Sequence, residues 1–450
     1  MKKILKIANT QAFWGDRSTA TAEILDQVED LDVLTLDYLA EVSMSILAIQ
    51  KEKDPSLGYA MDFLDVIQSL IPYWKKKRKF KLICNAGGLN PDGCAEACAR
   101  ILKENDCNGL KIGIVSGDNV LSILNTANDT DYVNMDTNAA IGSVKNQLVT
   151  ANAYLGSQPI VGALKLNADI VITGRVADPC LVAAACIDHF NWNFDDYDKI
   201  AGAIIAGHLI ECGTQVTGGC STHWLEYSKM DQIGYPIVEV NEDGFFVITK
   251  STQSGGKVSF ETVKEQLLYE IGNPACYLCP DATVSFLELK LSQDGIDRIK
   301  ITGAKGSPPP KKYKVSATYR DGYRIETIIS LFGRKCREKG LKCGEIILKR
   351  LISRGYNPKE YIVECLGTGD IVPTMQKNET IETVIRIAAK DYQKEPLEEL
   401  AKEIAPLVTS GPQGITGYTS GRAKVRPIFS FWPTLIEKTF VKEKIKIIEV

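Results

Sequence analysis

The sequence predicts an α/β fold, in which a doubly wound, mostly parallel sheet in the N-terminal half is followed by a mixed α+β region. Over the first half, short runs rich in Ile, Val and Leu alternate with helical patterns. These runs lack the polar–apolar alternation of half-exposed strands, which is typical of parallel strands covered on both faces. The candidate strands are Ile4–Asn9, Asp32–Asp37, Lys81–Asn85, Lys111–Ser116 and Asp169–Thr173.

Helical patterns separate these strands, as expected of β-α-β units with right-handed crossovers. Each pattern places apolar residues at helical spacing between two strand candidates. The candidate helices are Thr19–Val28, Ala40–Lys51, Tyr59–Lys75, Cys94–Lys103 and Leu181–His189.

The chain changes character near residue 228. A hairpin-type turn, Glu242-Asp243-Gly244-Phe245, lies between two apolar runs. Helical patterns return at Lys335–Ser353 and Pro396–Leu407, and Lys442–Val450 is strand-like. We therefore predict an α/β domain over residues 1–228, a β-rich mixed region over 229–330 and a C-terminal α+β region over 331–450.

The composition is that of a globular protein and excludes several function classes. Of the 450 residues, 44% are hydrophobic and 24% are charged, which argues against disorder. The net charge of -3, with both signs interspersed, gives no electrostatic footprint for nucleic acid. We interpret the basic run Lys75–Lys79 as a helix end that complements the helix dipole.

The location of the protein is predicted from its apolar segments and its cysteines. No run of about 18 apolar residues occurs, so no membrane span is expected. The start of the chain is predicted to be a first β-strand rather than a signal peptide. The 13 cysteines, an odd number scattered through apolar segments, suit a reducing compartment. We therefore expect a cytoplasmic protein.

A polar loop with Gly, Asp, Asn or Arg follows every candidate strand. The carboxyl ends of parallel strands meet at one edge of a sheet, which is where ligands bind in open α/β folds. Any single loop of this kind is explained by turns and helix caps. The two arginines and several carboxylates exceed what capping requires, and arginine suits carboxylate or phosphate recognition. The predicted site residues in these loops are Asp16, Arg17, Asn85, Gly87, Gly88, Asn90, Asp118, Arg175 and Asp178.

The loop Asn85–Asn90 resembles a glycine-rich anion loop only loosely. It lacks the spacing of a dinucleotide fingerprint and the Lys-Ser/Thr ending of a P-loop. A redox dinucleotide or a nucleoside triphosphate is therefore not supported. The loop could still hold a carboxylate or a single phosphate on helix N–H groups.

A second polar cluster runs from Gly207 to Gly219. His208 and Glu211 are three residues apart and share one helix face, and Gln215 follows them. A carboxylate that orients an imidazole makes a general acid or base, so we predict that His208 moves a proton with Asp118 as the alternative base. The competing interpretation is that His208 caps a helix or packs in the core.

Two groups of side chains bear on metal binding. A zinc site is not expected, because Cys276-x-x-Cys279 has no partner pair and buried-thiol packing explains it better. Four carboxylates could converge on Mg²⁺, namely Asp16, Asp37, Asp118 and Asp178. Near the end of the chain, the loop Gly417–Arg422 indicates a further anion contact or an interface.

Taken in order over about three hundred residues, these segments resemble the acyclic terpene utilisation protein A (AtuA) family. Arg422 to Pro433 resembles the family's later block. The other matching blocks are Gly15-Asp16-Arg17, Asp37-Tyr-Leu-Ala-Glu41, Gly58-Tyr-Ala60, Asn85–Pro91, Gly117-Asp118, Asn152-Ala-Tyr-Leu-Gly156, Ala168–Arg175, Gly207-His208, Glu211-Cys212, Gln215–Gly219, Thr262–Glu270 and Pro280-Asp281.

Two departures from the family pattern bear on function. Asn119 follows Asp118 where the family has a double aspartate, which weakens a metal site built on a second carboxylate there. Some longer members of the family carry an extra C-terminal domain that this chain lacks. The resemblance therefore implies that the chain works with a separate small subunit.

The resemblance implies the breakdown of branched acyclic carboxylates, often as coenzyme A thioesters. With acid–base residues and no redox motif, we expect a lyase, hydratase/dehydratase or isomerase. The alternative is a non-catalytic ligand-binding or complex-forming subunit that works with a small partner protein. The sequence requires no cofactor, although Mg²⁺ and a coenzyme A moiety of the substrate are compatible with it. We also expect a homo-oligomer without nucleic-acid or membrane partners.

Overall fold

The computed structural model describes residues 2–372, 374–418 and 421–450. The chain forms two compact units. One contains the described residues up to Thr318 together with Phe431–Val450, and Tyr319–Ser430 form the other. No helix in the described part of the chain is long and apolar enough to cross a membrane.

The strands and helices are numbered here in chain order. The strands are β1 (Ile4–Asn9), β2 (Val33–Leu36), β3 (Lys81–Cys84), β4 (Lys111–Ser116), β5 (Leu148–Ala153), β6 (Ile170–Thr173), β7 (Pro236–Asn241), β8 (Phe246–Lys250), β9 (Tyr277–Leu278), β10 (Thr283–Ser285), β11 (Lys290–Gly295), β12 (Arg298–Thr302), β13 (Lys305–Ser307), β14 (Lys312–Phe332), β15 (Glu360–Leu366), β16 (Glu382–Asp391), β17 (Ile415–Tyr418), β18 (Arg426–Glu437) and β19 (Lys444–Glu449). The helices are α1 (Ala20–Gln27), α2 (Glu41–Lys53), α3 (Phe63–Lys75), α4 (Pro91–Glu104), α5 (Leu121–Thr126), α6 (Gln158–Lys165), α7 (Cys180–Phe190), α8 (Tyr197–Glu211), α9 (Phe260–Leu268), α10 (Cys336–Ser353), α11 (Glu395–Ile404) and α12 (Leu407–Ser410).

The larger unit is built on a mixed ten-stranded sheet with the order β11-β12-β8-β7-β1-β2-β3-β6-β4-β19. Its middle strands β1, β2, β3, β6 and β4 are parallel, and they coincide with the five strands predicted from the sequence. That part of the fold prediction is confirmed. Antiparallel strands extend the sheet on both sides, so the α/β class is correct while the doubly wound arrangement stays a prediction.

The predicted boundary near residue 228 does not interrupt this sheet. β7 pairs with β1, and β8 completes the hairpin predicted around Gly244. The last strand, β19, pairs with β4 on the opposite side. These strands complete the hydrogen bonds at the edges of the parallel part of the sheet. The domain bounds at residues 228 and 330 stay a prediction.

The parallel strands are buried because they consist almost entirely of aliphatic residues covered by helices. All four residues of β2 and of β6 are buried. Cys94 and Cys98, which are four residues apart, lie on the buried face of α4. Asn90 begins α4, since its side-chain oxygen accepts a hydrogen bond from Gly93 N at 3.1 Å and Pro91 follows it.

The smaller unit has a β-α-β-β-α-β order. Its strands form an antiparallel arrangement, β15-β16-β14-β17, and helices α10 and α11 supply apolar residues to its core. This topology is ferredoxin-like. In the predicted loop Gly417–Arg422, residues Thr419 and Ser420 lie outside the described residues, and that prediction stays open.

Candidate active site

A cavity of about 560 Å³ opens where the parallel strands end. Asp37 directly follows β2, and Arg175 and Asp178 lie in the loop after β6, so the cavity is at the carboxyl edge of the sheet. α8 contributes His208 and Glu211 from its last turn. The other polar side chains that line it are those of Glu41, Tyr154, Cys212, Tyr269, Glu270, Tyr277, Lys312, Tyr313 and Lys314.

Arg175 is the buried cation of this cavity, with 2% of its surface exposed. Its Nη1 atom donates to Leu39 O at 2.8 Å and to Asp178 Oδ1 at 2.6 Å. The guanidinium carbon lies 4.1 Å from the centre of the Tyr154 ring. Its Nε atom is buried and has no hydrogen-bond partner in the described residues, so a ligand oxygen would satisfy it.

Glu41 is an ionised carboxylate in the cavity. Its Oε1 atom accepts a hydrogen bond from Tyr154 Oη at 2.7 Å and lies 3.3 Å from Lys314 Nζ. Burial alone would raise its pKa, but the Tyr154 hydrogen bond and the charge of Arg175 lower the pKa of Glu41 to about 2. Glu41 therefore carries a charge at neutral pH.

His208 is buried and both of its ring nitrogens are engaged. Nε2 lies 3.0 Å from the backbone oxygen of Gln266, which can only accept, so Nε2 carries a hydrogen. Nδ1 lies 3.0 Å from Glu211 Oε1. Burial lowers the pKa of His208 to about 4, against the hydrogen bond to Gln266, so the ring is neutral at pH 7.

Glu211 is the protonated carboxyl group of the cavity. Burial raises the pKa of Glu211 well above its usual range, and the charges of Asp178 and Glu270 raise it further. A neutral His208 with its hydrogen on Nε2 must accept at Nδ1, so Glu211 Oε1 donates there. Oε2 of Glu211 is buried without a hydrogen-bond partner in the described residues.

Asp37 lines the cavity as a second carboxyl with a raised pKa. Burial raises the pKa of Asp37, and the charge of Asp178 adds to this, while Arg175 and the hydrogen bond from Asn85 oppose it. Asn85 Nδ2 donates to Asp37 Oδ1 at 2.6 Å, and Asn85 Oδ1 accepts from Tyr38 N at 2.7 Å. Asn85 is fully buried and positions Asp37 from behind.

Two further predicted residues support the cavity without lining it. Asp118 Oδ2 accepts from Arg175 N at 2.9 Å and from Asn152 Nδ2 at 2.7 Å, so it fixes the loop that carries Arg175. Asp16 accepts from Ala12 N at 3.0 Å and from Tyr235 Oη at 2.6 Å. Because Ala12 lines the cavity, Asp16 holds part of its wall.

The remaining predicted residues lie elsewhere. Arg17 pairs with Glu23 and lines a separate cavity. Gly87 packs so closely on β6 that an added Cβ would lie 2.6 Å from Thr173 O. Gly88 and Asn90 are part of the same packed turn, and Gln215 lies in a short 3-10 helix after α8. None of these residues lines the cavity around Arg175.

The four aspartates considered for Mg²⁺ are not brought together. Asp16 and Asp118 are held by the contacts given above, whereas Asp37 and Asp178 line the cavity. In the described part of the chain, the metal-ligating side chains that converge are instead Cys180, Cys279 and Asp281.

The comparisons with known proteins identify the family. The family model of the acyclic terpene utilisation family protein AtuA matches residues 5–447. The chain belongs to the AtuA family. No curated protein shows significant similarity to this AtuA-family sequence. Among solved structures, the de novo designed protein Ferredog-Diesel is 18% identical over 24% of this chain and 88% of its own, with a TM-score of 0.15.

Several cavity residues of this AtuA-family chain were not among the predicted site residues. Glu41, Tyr154 and Glu270 lie inside blocks that carried the family resemblance, so the signal was present in the sequence. Tyr277 gave no local signal, because only the fold brings it to the cavity. Its ring centre lies 6.0 Å from that of His208.

Proposed function

We propose that this AtuA-family chain is a catabolic enzyme that acts on a branched small carboxylate or its coenzyme A thioester, as a lyase, hydratase/dehydratase or isomerase. One observation carries the proposal: beside buried Arg175, a single cavity holds Glu41, whose pKa is lowered, and Glu211, whose pKa is raised. Carboxyl groups held in opposite protonation states are what acid–base catalysis uses. The family's link to acyclic terpenes, which are branched, supports a catabolic role.

Arg175 would bind the carboxylate or the thioester oxygen of the substrate. Its guanidinium is fixed by Leu39, Asp178 and the Tyr154 ring, so little side-chain entropy is lost on binding. In a buried site, this charge stabilises the negative charge that develops when a proton leaves the carbon next to a carbonyl group.

Glu211 would transfer the proton, and His208 would store it. Oε2 of Glu211 takes the substrate proton while the proton on Oε1 moves to His208 Nδ1. Glu211 then remains neutral, His208 becomes an imidazolium, and the substrate carries the negative charge beside Arg175. The reverse transfer delivers a proton, so one pair serves as base and acid.

The cavity also suits the charge of a coenzyme A thioester. Lys312 and Lys314 line it, and their side chains are 50% and 42% exposed. Ammonium groups at such positions pair with phosphate oxygens. The CoA group is part of the substrate in this proposal and takes no part in the proton transfer.

The test is a ligand panel followed by product analysis. Branched carboxylates and their coenzyme A thioesters are screened by thermal shift against the full chain, and each ligand that raises Tm is incubated and examined by NMR. We expect at least one ligand to be converted. Glu211→Gln should bind that ligand but lose turnover, whereas Glu226→Gln, in the exposed pair with His223, should behave as the wild type.

Binding without conversion would overturn the enzymatic proposal. It would favour the alternative, a ligand-binding or complex-forming subunit that needs a small partner protein. Adding the candidate partner and finding conversion only in its presence would assign the chain to such a complex. If Glu211→Gln still converts the ligand, the chain is an enzyme but another residue transfers the proton.

A further inference from the structure

A second polar cluster lies next to the cavity, in the buried part of the larger unit. Cys180 is the first residue of α7, and Cys279 and Asp281 lie on either side of Pro280 between β9 and β10. Cys180 Sγ lies 3.6 Å from Cys279 Sγ and 3.0 Å from Asp281 Oδ2. All three ligand atoms lie within 4.8 Å of one another.

This cluster differs from the pair that the sequence indicated. Cys276, the first cysteine of the Cys-x-x-Cys motif, is exposed, and Cys279 meets Cys180 instead. A spacing of 99 residues separates those two cysteines, so only the fold reveals the pair. Both cysteines are free thiols, with 0% and 2% of their surface exposed.

The distances suit a tetrahedral soft metal ion. Zn–S bonds of about 2.3 Å place two sulfur atoms about 3.8 Å apart, close to the 3.6 Å observed. A Zn–O bond of about 2.0 Å places the oxygen about 3.5 Å from a sulfur, so Asp281 would move by about 0.5 Å. Ser157 N donates to both carboxylate oxygens at 3.0 and 2.9 Å, which orients Asp281 from outside the cluster.

A bound divalent ion offsets most of the charge that the ligands of this cluster carry. Two thiolates and one carboxylate bring three negative charges against the two of Zn²⁺. Lys438, whose Nζ donates to Pro280 O at 2.7 Å, lies beside the ligands. The ion offsets two of the three negative charges, which lowers the cost of holding these ligands ionised in a buried site. Thiolate ligands favour Zn²⁺ over Mg²⁺ or Ca²⁺.

We propose that Cys180, Cys279 and Asp281 form a zinc site that ties the start of α7 to the segment between β9 and β10. The neighbours of these ligands form part of the cavity wall, namely Pro179, Leu278 and Pro280. The ion would stabilise that wall from behind. The site stands on its own geometry and does not depend on the proposed reaction.

The experiment uses Co²⁺ as a spectroscopic substitute for Zn²⁺ in the full chain. The metal-free protein is titrated with Co²⁺, and the thiolate-to-cobalt charge-transfer band is recorded. Zn²⁺ is then added and the retained metal is counted by elemental analysis. We expect about one ion per chain, a charge-transfer band and its loss on displacement by Zn²⁺.

Variants identify the ligands. Cys180→Ser and Asp281→Asn should each weaken Co²⁺ binding at least 10-fold, as loss of a ligand would. Cys276→Ser, the exposed cysteine near Cys279 in sequence, should bind as the wild type. The wild-type titration needs no variant, so the proposal stays testable if a variant does not fold. A wild type without stoichiometric metal or without the charge-transfer band overturns the proposal, as does a band lost in Cys276→Ser but kept in Cys180→Ser.

Discussion

His208 Nε2 lies 3.0 Å from the backbone oxygen of Gln266, and Gln266 Nε2 donates to His208 O at 3.2 Å. These reciprocal contacts fix the imidazole against α9 and occupy the nitrogen that would otherwise reach a substrate. The group that can exchange a proton with the cavity is therefore the Glu211 carboxyl, with His208 behind it.

The histidine rings should titrate differently. Burial lowers the pKa of His208 to about 4, whereas the hydrogen bond that His223 donates to Glu226 raises the pKa of exposed His223 above 6.5. NMR of the ring protons, assigned with His→Gln variants, should show His223 titrating near neutral pH while His208 stays constant down to about pH 5. A His208 midpoint near 6.5 would contradict the buried neutral pair.

Glu211→Gln should change how stability depends on pH. In the folded protein Glu211 keeps its proton, whereas in the unfolded chain it releases the proton above about pH 4.5. The unfolded state therefore binds fewer protons, and the stability of the wild type falls as the pH rises. The variant lacks this effect, and its free energy of unfolding should gain on the wild type between about pH 5 and 8. Denaturant unfolding measures this, with Glu226→Gln as the exposed control. Parallel curves for Glu211→Gln and the wild type would disagree with a raised pKa.

Arg175→Lys should weaken ligand binding. A lysine cannot keep the contacts to Leu39 and Asp178 and also present a planar fork to a carboxylate. Loss of one charged hydrogen bond costs on the order of 1–3 kcal/mol, which corresponds to a roughly 5- to 150-fold higher Kd. Calorimetry with a ligand from the panel measures it, and Arg17→Lys, which lies in another cavity, should leave Kd unchanged.

Gly87→Ala should destabilise the fold, although Gly87 does not line the cavity. The new Cβ would lie 2.6 Å from Thr173 O and 2.8 Å from Pro91 Cα, both of them backbone atoms. Forced overpacking of this kind costs about 1–3 kcal/mol. The denaturation midpoint measures it, and Gly272→Ala is the matched control, because no atom of the described residues lies within 4 Å of its added Cβ. Equal midpoints for both variants would show that the turn after β3 can adjust.

The sequence was informative about local structure and less so about long-range contacts. The aliphatic runs predicted β1 to β4 and β6, because parallel strands need little beyond burial on both faces. They could not show that β7 and β19 would pair with β1 and β4, since such pairing depends on where distant segments fold.

The candidate site shows the same limit. Arg175 and Asp178, which loop composition singled out, line the cavity, and His208 contacts Glu211 as their helical spacing indicated. Sequence composition could not separate residues that line the cavity from residues that support its wall. Asp118 and Asn85 are polar because they hydrogen-bond to Arg175 N and to Asp37 from behind the wall. The predicted roles of Asp118 as an alternative base and of Asn85 in substrate binding stay predictions.

The most direct test of the account is proton exchange at the substrate carbon. A branched coenzyme A thioester from the ligand panel is incubated in D₂O with the full chain, and deuterium uptake next to the carbonyl group is followed by ¹H NMR. We predict exchange by the wild type and by Glu226→Gln, and a rate at least about 10²-fold lower for Glu211→Gln. Exchange by Glu211→Gln at the wild-type rate would contradict the assignment of the proton transfer to Glu211.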